Sequence, residues 1–255
     1  MARILVTGST QGLGRATAVA LLGQGHRVVV HARDQTRAGT LSDFSGLGAS
    51  VLVGDLANQQ QTRALADQVN ALGRMDAIVH NAGVFGDAQR FATPEGHPRT
   101  LAVNVLAPYL LTALIQRPDR LVYLSSGMHR SGDTALRDLD WTDRKWDPTQ
   151  AYSDSKLFVT ALAFAVAHRW PQVRSNAVDP GWVPTRMGGP GAPDNLEQGH
   201  VTQVLLATGD PSMADVSGQL WHHQLPQRAA AATGDRDFQD RLIDTLARMT
   251  GVPLP

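Results

Sequence analysis

Six short apolar runs recur along the chain, and stretches with helical spacing lie between most of them. This alternation limits the possible folds more than any other feature. The runs cover residues 4–6, 28–30, 51–53, 77–79, 121–124 and 173–178. Continuous apolar runs of this length predict strands buried on both faces. Residues 12–22, 59–72, 100–114 and 151–169 predict the intervening helices. Strands alternating with helices give an α/β fold, a doubly wound parallel sheet with helices on both faces. An apolar content of 42% suffices to fill such a core. No repeat and no shift in composition divides residues 1–255, so the reading is one domain.

The first strand runs into Thr7-Gly8-Ser9-Thr10-Gln11-Gly12-Leu13-Gly14 and then a helix. Glycines at such a turn let the backbone approach a pyrophosphate, and the helix N-terminus adds free N–H groups and a positive dipole end. The expectation is a single-domain Rossmann fold. The spacing is Gly-x3-Gly-x-Gly, which differs from the common Gly-x-Gly-x-x-Gly fingerprint, and no Gly-Lys-Ser/Thr marks a triphosphatase. The second strand ends Ala32-Arg33-Asp34. An acid near this point would bind the ribose of NAD, whereas Arg33 suits the 2′-phosphate of NADP. The expected cofactor is NADP(H), ahead of NAD(H).

Two segments, 131–150 and 181–195, interrupt the alternation. Both follow strands and so belong at the carboxyl edge of the sheet, where ligands bind in open α/β folds. They are read as substrate loops. Phe85, Met128, Trp141, Trp182 and Met187 are candidate pocket residues.

Other chemistries recede. Lys plus Arg number 23, equal to Asp plus Glu, so no nucleic acid partner is expected. The absence of cysteine excludes disulfides and thiolate metal sites and fits a cytoplasmic protein. The N-terminus shows no signal-peptide layout. No apolar run reaches membrane-spanning length, the longest being broken by residues such as Asn104 and Pro108. His222 and His223 are adjacent and do not share a strand face, so no metal site is expected. Ser125-Ser126 lacks the Gly-x-Ser-x-Gly elbow of a serine hydrolase.

The ordered set of motifs resembles the short-chain dehydrogenase/reductase family over nearly the whole chain. After the glycine turn come Gly54-Asp55-Leu56, Asn81-Ala82-Gly83, Asn104, Ser125-Ser126, Tyr152-x3-Lys156 and Pro180-Gly181. Thr93-Pro-Glu-Gly, the long segment between Ser126 and Tyr152, and Ser217-Gly218-Gln-Leu-Trp221 resemble the retinol-dehydrogenase-like branch, which also takes in protochlorophyllide-reductase relatives. The resemblance implies cofactor contacts from Gly8, Ser9, Gln11, Gly12, Leu13, Gly14, Arg33, Asp55, Leu56, Asn81, Ala82, Gly83, Tyr152, Lys156, Pro180, Gly181, Val183 and Thr185. It implies a catalytic set of Asn104, Ser126, Tyr152 and Lys156.

A free tyrosine has a pKa of about 10 and needs a neighbouring cation to act near neutrality. Positions i and i+4 of a helix share a face, which sets Lys156 beside Tyr152. Lys156 is expected to lower the Tyr152 pKa, and the positive ring of the oxidised cofactor to lower it further. Tyr152 would be the general acid in carbonyl reduction and the base in alcohol oxidation. Ser126 would stabilise charge on the substrate oxygen, and Asn104 would anchor a water that relays protons through Lys156. The expected substrate is a small, lipophilic alcohol or carbonyl. The rival is an NADP(H)-binding redox-sensing regulator without turnover, which could dispense with Tyr152, Lys156 and Ser126. An epimerase or dehydratase fits less well, because the tail after Trp221 is short. The apolar helix at 151–167 is expected to bury one side on a second copy, giving a homodimer or homotetramer.

Overall fold

The structure, a computed structural model, describes residues 1–213 and 215–255. Eight strands form one sheet: β1 (Arg3–Val6), β2 (Arg27–Ala32), β3 (Ser50–Val53), β4 (Ala77–His80), β5 (Arg120–Leu124), β6 (Arg174–Asp179), β7 (Leu220–His222) and β8 (Leu225–Gln227). Their order is β3-β2-β1-β4-β5-β6-β7-β8. All pairings are parallel except β7 with β8. The strand order reverses between β1 and β4, which opens a crevice at their carboxyl ends.

Six longer helices flank the sheet: α1 (Gly12–Gly23), α2 (Gln59–Ala71), α3 (Ala107–Leu114), α4 (Pro148–Arg169), α5 (Val201–Thr208) and α6 (Arg236–Thr250). Two apolar clusters form, one on each face. One joins the sheet to α2, α3, α4 and α6, and the other joins it to α1 and α5. The six expected strands and the doubly wound architecture are present. Strands β7 and β8 and helices α5 and α6 are additions to the sequence reading. No helix among the described residues is long and apolar enough to cross a membrane.

The expected helix at 100–114 is interrupted. A helical turn at Arg99–Leu101 passes into a π-helical turn at Ala102–Leu106 and then α3. The sequence supplies a reason. Pro108 has no N–H to give the carbonyl of Asn104 four residues back, so the α ladder cannot run through. The Ala107 N–H reaches five residues back to Ala102 instead. Single π turns of this kind recur at functional sites.

Helix α4 starts with Asp147 as its N-cap, accepting from Thr149 and Gln150 N–H at 2.8 and 3.0 Å. Pro148 suits the first helical turn, where no N–H partner is needed. The helix is buried along nearly its whole length. Helix α6 packs Phe238, Leu242, Ile243 and Leu246 into the cluster that α4 joins, and Phe238 meets Phe158 with ring centroids 6.4 Å apart. Gly251 ends α6 with φ 68°, a left-handed conformation that suits glycine. The tail then seals the edge. The Tyr109 hydroxyl donates to the Val252 carbonyl at 2.8 Å, and Trp170 Nε1 donates to that of Pro255 at 2.6 Å.

Phe238 is 1% exposed. Truncating such a core aromatic leaves a cavity and costs about 3–5 kcal/mol. We predict a loss of that size for Phe238→Ala in urea unfolding, and a change below about 1 kcal/mol would contradict the packing role given to α6.

Candidate active site

The glycine turn is clamped before any ligand arrives. Thr7 Oγ1 accepts from the N–H groups of Asn81 and Ala82, both at 3.0 Å. Asn81 Nδ2 donates to the Thr7 carbonyl at 2.8 Å and to that of Gly8 at 3.3 Å. Gly14 lies so close to Asn81 Nδ2 and the Gly8 carbonyl that a methyl group there would overlap both. Gly8 has φ 67°, and a side chain on it would press on Ala82. Gln11, the N-cap of α1, makes no side-chain bond to the helix. The leading N–H groups of α1 are thus free of a side-chain cap and face a cradle that only glycines leave open, which fits a pyrophosphate.

Gly8, Gln11, Gly12, Leu13, Gly14, Arg33, Asp55, Leu56, Asn81, Ala82, Gly83, Tyr152, Lys156, Pro180 and Thr185 line one cavity of about 310 Å³. The structure therefore gathers most of the expected cofactor residues. It holds three away from the lining. The Ser9 hydroxyl donates to the Val6 carbonyl and accepts from His31 N at 3.2 Å, and Ser9 N–H donates to the His31 carbonyl at 3.0 Å, so Ser9 braces the turn from beneath. Val183 turns into the interior. Gly181, with φ 84°, shapes the bend after β6 and donates its N–H to Asp179 Oδ1 at 3.1 Å.

Arg33 is solvent-facing, 60% exposed at its side chain, with Nε donating to Asp34 at 3.1 Å. Arg37, which the sequence reading passed over, reaches across to Gln11 Oε1 at 3.2 Å. A second guanidinium thus stands at a glycine loop that has no basic residue of its own. His31 was also missed. Its Nδ1 accepts from Gly8 N–H at 3.0 Å, and its other nitrogen lies 2.7 Å from the Gly54 carbonyl. Both bonds are satisfied only by the neutral ring with the proton on Nε2, and burial lowers its pKa accordingly. Its position one residue before Ala32 was the available signal.

At the catalytic end the two serines separate. Ser125 lines the cavity, but its Oγ is engaged by Thr160 Oγ1 at 2.6 Å. Ser126 Oγ accepts from Met128 N–H at 3.3 Å and lies close enough to the Tyr152 phenol to lower its pKa. His129, buried and unanticipated, holds Ser126 through its carbonyl at 2.7 Å and accepts from Ala230 N–H at 3.1 Å. Asn104 uses its side chain on Val84 N–H at 2.8 Å, the Val84 carbonyl at 3.0 Å and Ser155 Oγ at 2.9 Å. A water anchored by Asn104 must therefore use its main chain, in the π turn.

Lys156 Nζ donates to the Leu124 carbonyl at 2.8 Å and lies 5.3 Å from the centre of the Tyr152 ring. Burial lowers its pKa to about 8, opposed by Asp179. Tyr152 departs from expectation. Burial pushes it up to about 12, opposed by the Ser126 hydrogen bond and reinforced by Asp179. The ammonium is directed at Leu124, and desolvation of the phenolate dominates.

The two loops behave differently. Thr185, Arg186 and Met187 of 181–195 line the cavity, and no residue of 131–150 does. The latter segment is bound down by Arg144 to Asp154 at 3.0 Å and by Trp146 Nε1 to the Asp87 carbonyl at 2.9 Å. Trp141 is buried edge-on against Trp146, 5.2 Å away, so it is packing and not pocket. Phe85 packs on Tyr152 at 4.6 Å, and Trp182 is exposed at the rim. Met128 is half-buried beside Ser126 and accordingly near the site. Among the described residues no cluster of His, Asp or Glu could hold a metal ion.

The family model described as Enoyl-(Acyl carrier protein) reductase matches residues 8–215. The chain belongs to the short-chain dehydrogenase/reductase family. It is 38% identical over 261 residues to the short-chain dehydrogenase chry4 of Gibberella zeae, covering 100% of this chain and 99% of that one. It is 39% identical over 259 residues to the short-chain dehydrogenase chyC of Penicillium rubens, covering both in full. Retinol dehydrogenase 13 of Homo sapiens is 27% identical over 287 residues, 99% of this chain and 85% of that one, in keeping with the expected branch. An uncharacterized protein from Mycobacterium Paratuberculosis shares the fold with a TM-score of 0.85 at 24% identity, covering 100% and 95%. A short chain dehydrogenase from Shigella flexneri complexed with NADP superposes with a TM-score of 0.69 at 21% identity, covering 88% and 97%. As a member of this family the protein is an oxidoreductase that acts on CH–OH groups with a nicotinamide cofactor.

The buried lysine has a readable consequence. Its folded pKa of about 8 lies below the ordinary 10.5, so between these values the unfolded chain binds more protons. Stability then rises with pH. Tyr152, raised from 10.0, opposes this above pH 10. We predict that unfolding free energy in the absence of cofactor climbs from about pH 8 to pH 10, and that Lys156→Met flattens the climb. Equal slopes in urea titrations of the two proteins would contradict a buried Lys156 ammonium.

Proposed function

We propose that this protein is an NADP(H)-dependent oxidoreductase that interconverts a lipophilic alcohol and its carbonyl, with Tyr152 as general acid in reduction and general base in oxidation. The observation that carries the reading is Tyr152 and buried Lys156, one helical turn apart on α4, both lining the cleft onto which the glycine turn opens. When bound, the nicotinamide supplies or accepts the hydride. Ser126 holds the substrate oxygen as charge develops on it, and Tyr152 delivers the proton. Lys156 carries positive charge toward the cofactor ribose and replenishes the proton through water at the Asn104 main chain. Gly83 keeps a path open to that ammonium, since a side chain there would sit 3.6 Å from Nζ. Phe85 and Met187 give the substrate side its apolar surface.

Arg33 and Arg37 support NADP(H) over NAD(H). Two guanidiniums flank the loop, and Ala32 offers no carboxylate to repel a phosphate. The NADP-complexed fold neighbour is consistent with that choice.

Tyr152→Phe is expected to lower kcat by about 10²–10⁴ in NADPH consumption against a panel of aldehydes and ketones, while NADPH still binds in a fluorescence titration. Full turnover by that variant would overturn the role given to Tyr152. Arg33→Ala is expected to weaken NADPH about tenfold, the loss of one charge-assisted phosphate contact, and to leave NADH unchanged. Parallel losses for both cofactors would instead favour a role for Arg33 outside phosphate recognition.

A further inference from the structure

Asp179 ends β6 beside the catalytic residues, and no step above uses it. Its Oδ1 accepts the Gly181 N–H at 3.1 Å. Its Oδ2 accepts no hydrogen bond among the described residues. The nearest ion-pair partner is His222 Nδ1 at 4.0 Å, and that nitrogen also lies 3.1 Å from the Asp179 carbonyl, to which it donates. The carboxylate is 17% exposed. It is close enough to act electrostatically on both Tyr152 and Lys156. Its Oδ2 would stand 3.3 Å from a side-chain carbon built on Gly127, the residue after Ser126. Arg130 approaches the same point at 3.8 Å, yet forms no ion pair with Asp179 and donates to the Arg228 carbonyl at 2.9 Å.

The neighbouring histidines continue this edge. His222 engages its Nδ1–H on the Asp179 carbonyl and keeps 35% of its side chain exposed. It stacks on His223 at 4.0 Å. His223 and Gln224 form a two-residue hairpin turn with φ 44° and 65°, a conformation that usually calls for Asn-Gly. Strained non-glycine residues of this kind persist where their surroundings hold them, and they gather at ligand sites. Here Gln224 N–H is held by Thr202 Oγ1 at 2.9 Å, and His223 Nε2 by the Pro180 carbonyl at 3.3 Å. The turn fixes His222 beside Asp179, whose Oδ2 in turn lies close to Gly127, the residue after Ser126. The Asp179 side chain is 17% exposed, so a ligand donor can reach Oδ2 and take the place of solvent there.

We propose that Asp179, flanked by His222, is a specificity site for a hydrogen-bond donor on the substrate, so that the preferred carbonyl carries a hydroxyl or N–H group within a few bonds of the reacting carbon. Phe85 and the Tyr152 ring supply the apolar wall, and Asp179 and His222 supply the polar one. This rests on the oxidoreductase reading given above.

The test compares matched pairs in NADPH consumption: 2-hydroxyacetophenone with acetophenone, and 3-hydroxy-1-phenylpropan-1-one with propiophenone. The wild-type protein is expected to favour at least one hydroxylated partner about tenfold or more in kcat/KM, because a site built for a donor discriminates against the analogue lacking it. Asp179→Ala should bring that ratio to about one, and Asp179→Asn, which keeps an acceptor oxygen, should restore part of it. A role in folding alone would scale both partners equally. A wild-type ratio near one for both pairs, or an undiminished ratio in Asp179→Ala, overturns the proposal. If no carbonyl is turned over, the oxidoreductase reading fails and binding still decides this one. Calorimetry on the NADPH-bound protein should then show 1-phenylethane-1,2-diol binding more tightly than 1-phenylethanol, with the difference lost in Asp179→Ala. Equal affinities for the two alcohols would overturn it.

Discussion

A lysine ammonium inside the core fixes the rest of this site. Lys156 is only 5% exposed, and its charge is met by the Leu124 carbonyl at the end of β5. Burial of a charge is tolerated only when a specific partner and geometry are held in place. Helix α4 therefore cannot roll without stranding that ammonium. The sheet beneath it and α6 beside it enforce the same orientation through packing. Tyr152, one turn away, inherits its position from this anchor. The Ser126 main chain is held by His129, which grips its carbonyl, and His129 is in turn held by Ala230 on the approach to α6. The C-terminal region thus supports the catalytic end from behind.

The cofactor end depends on a different kind of constraint. There the polar groups of the turn itself are used up by the protein. Thr7, Asn81 and His31 satisfy backbone groups of the Gly8 region, and Ser9 fills the space below. A preformed turn loses little conformational entropy on binding, which leaves more of the contact energy for affinity. The neutral ring of His31 is part of this frame. A protonated ring would have no lone pair for Gly8 N–H, and burial outweighs the Gly54 hydrogen bond and the charge of Asp55 in keeping the proton off.

The doubly wound sheet was legible because its six central strands are continuous apolar runs, and that pattern survives any tertiary context. The ordered motifs then gathered most of the cavity wall. The omissions have physical causes. Strands β7 and β8 each have three residues, too few to display a period. Helix α6 has a regular apolar stripe at Phe238, Leu242 and Leu246, but its role is tertiary, and only packing shows that it covers one side of α4. Ser9 sits in the glycine turn by sequence, yet its hydroxyl points down, a matter of rotamer and not of motif. Trp141 looked like a pocket residue because it is aromatic in a long loop. It is instead the inner face of a loop tied to Asp87 and Asp154.

The electrostatics of Tyr152 join these themes. Two opposite charges lie near it, Lys156 on its own helix and Asp179 on β6, and of the two Asp179 shifts it. The lysine is aimed at a carbonyl, while burial and the aspartate both disfavour the phenolate, leaving the Ser126 hydrogen bond as the opposing influence. The chain by itself therefore holds Tyr152 as a phenol. That is the form needed to give a proton to a carbonyl, and the opposite of what alcohol oxidation requires at its start. Asp179 also helps keep Lys156 charged against desolvation. One carboxylate thus biases the proton inventory of the site toward donation while its Oδ2 accepts no hydrogen bond among the described residues. The two effects share a charge, so altering Asp179 must change both together, and their energies cannot be treated as additive.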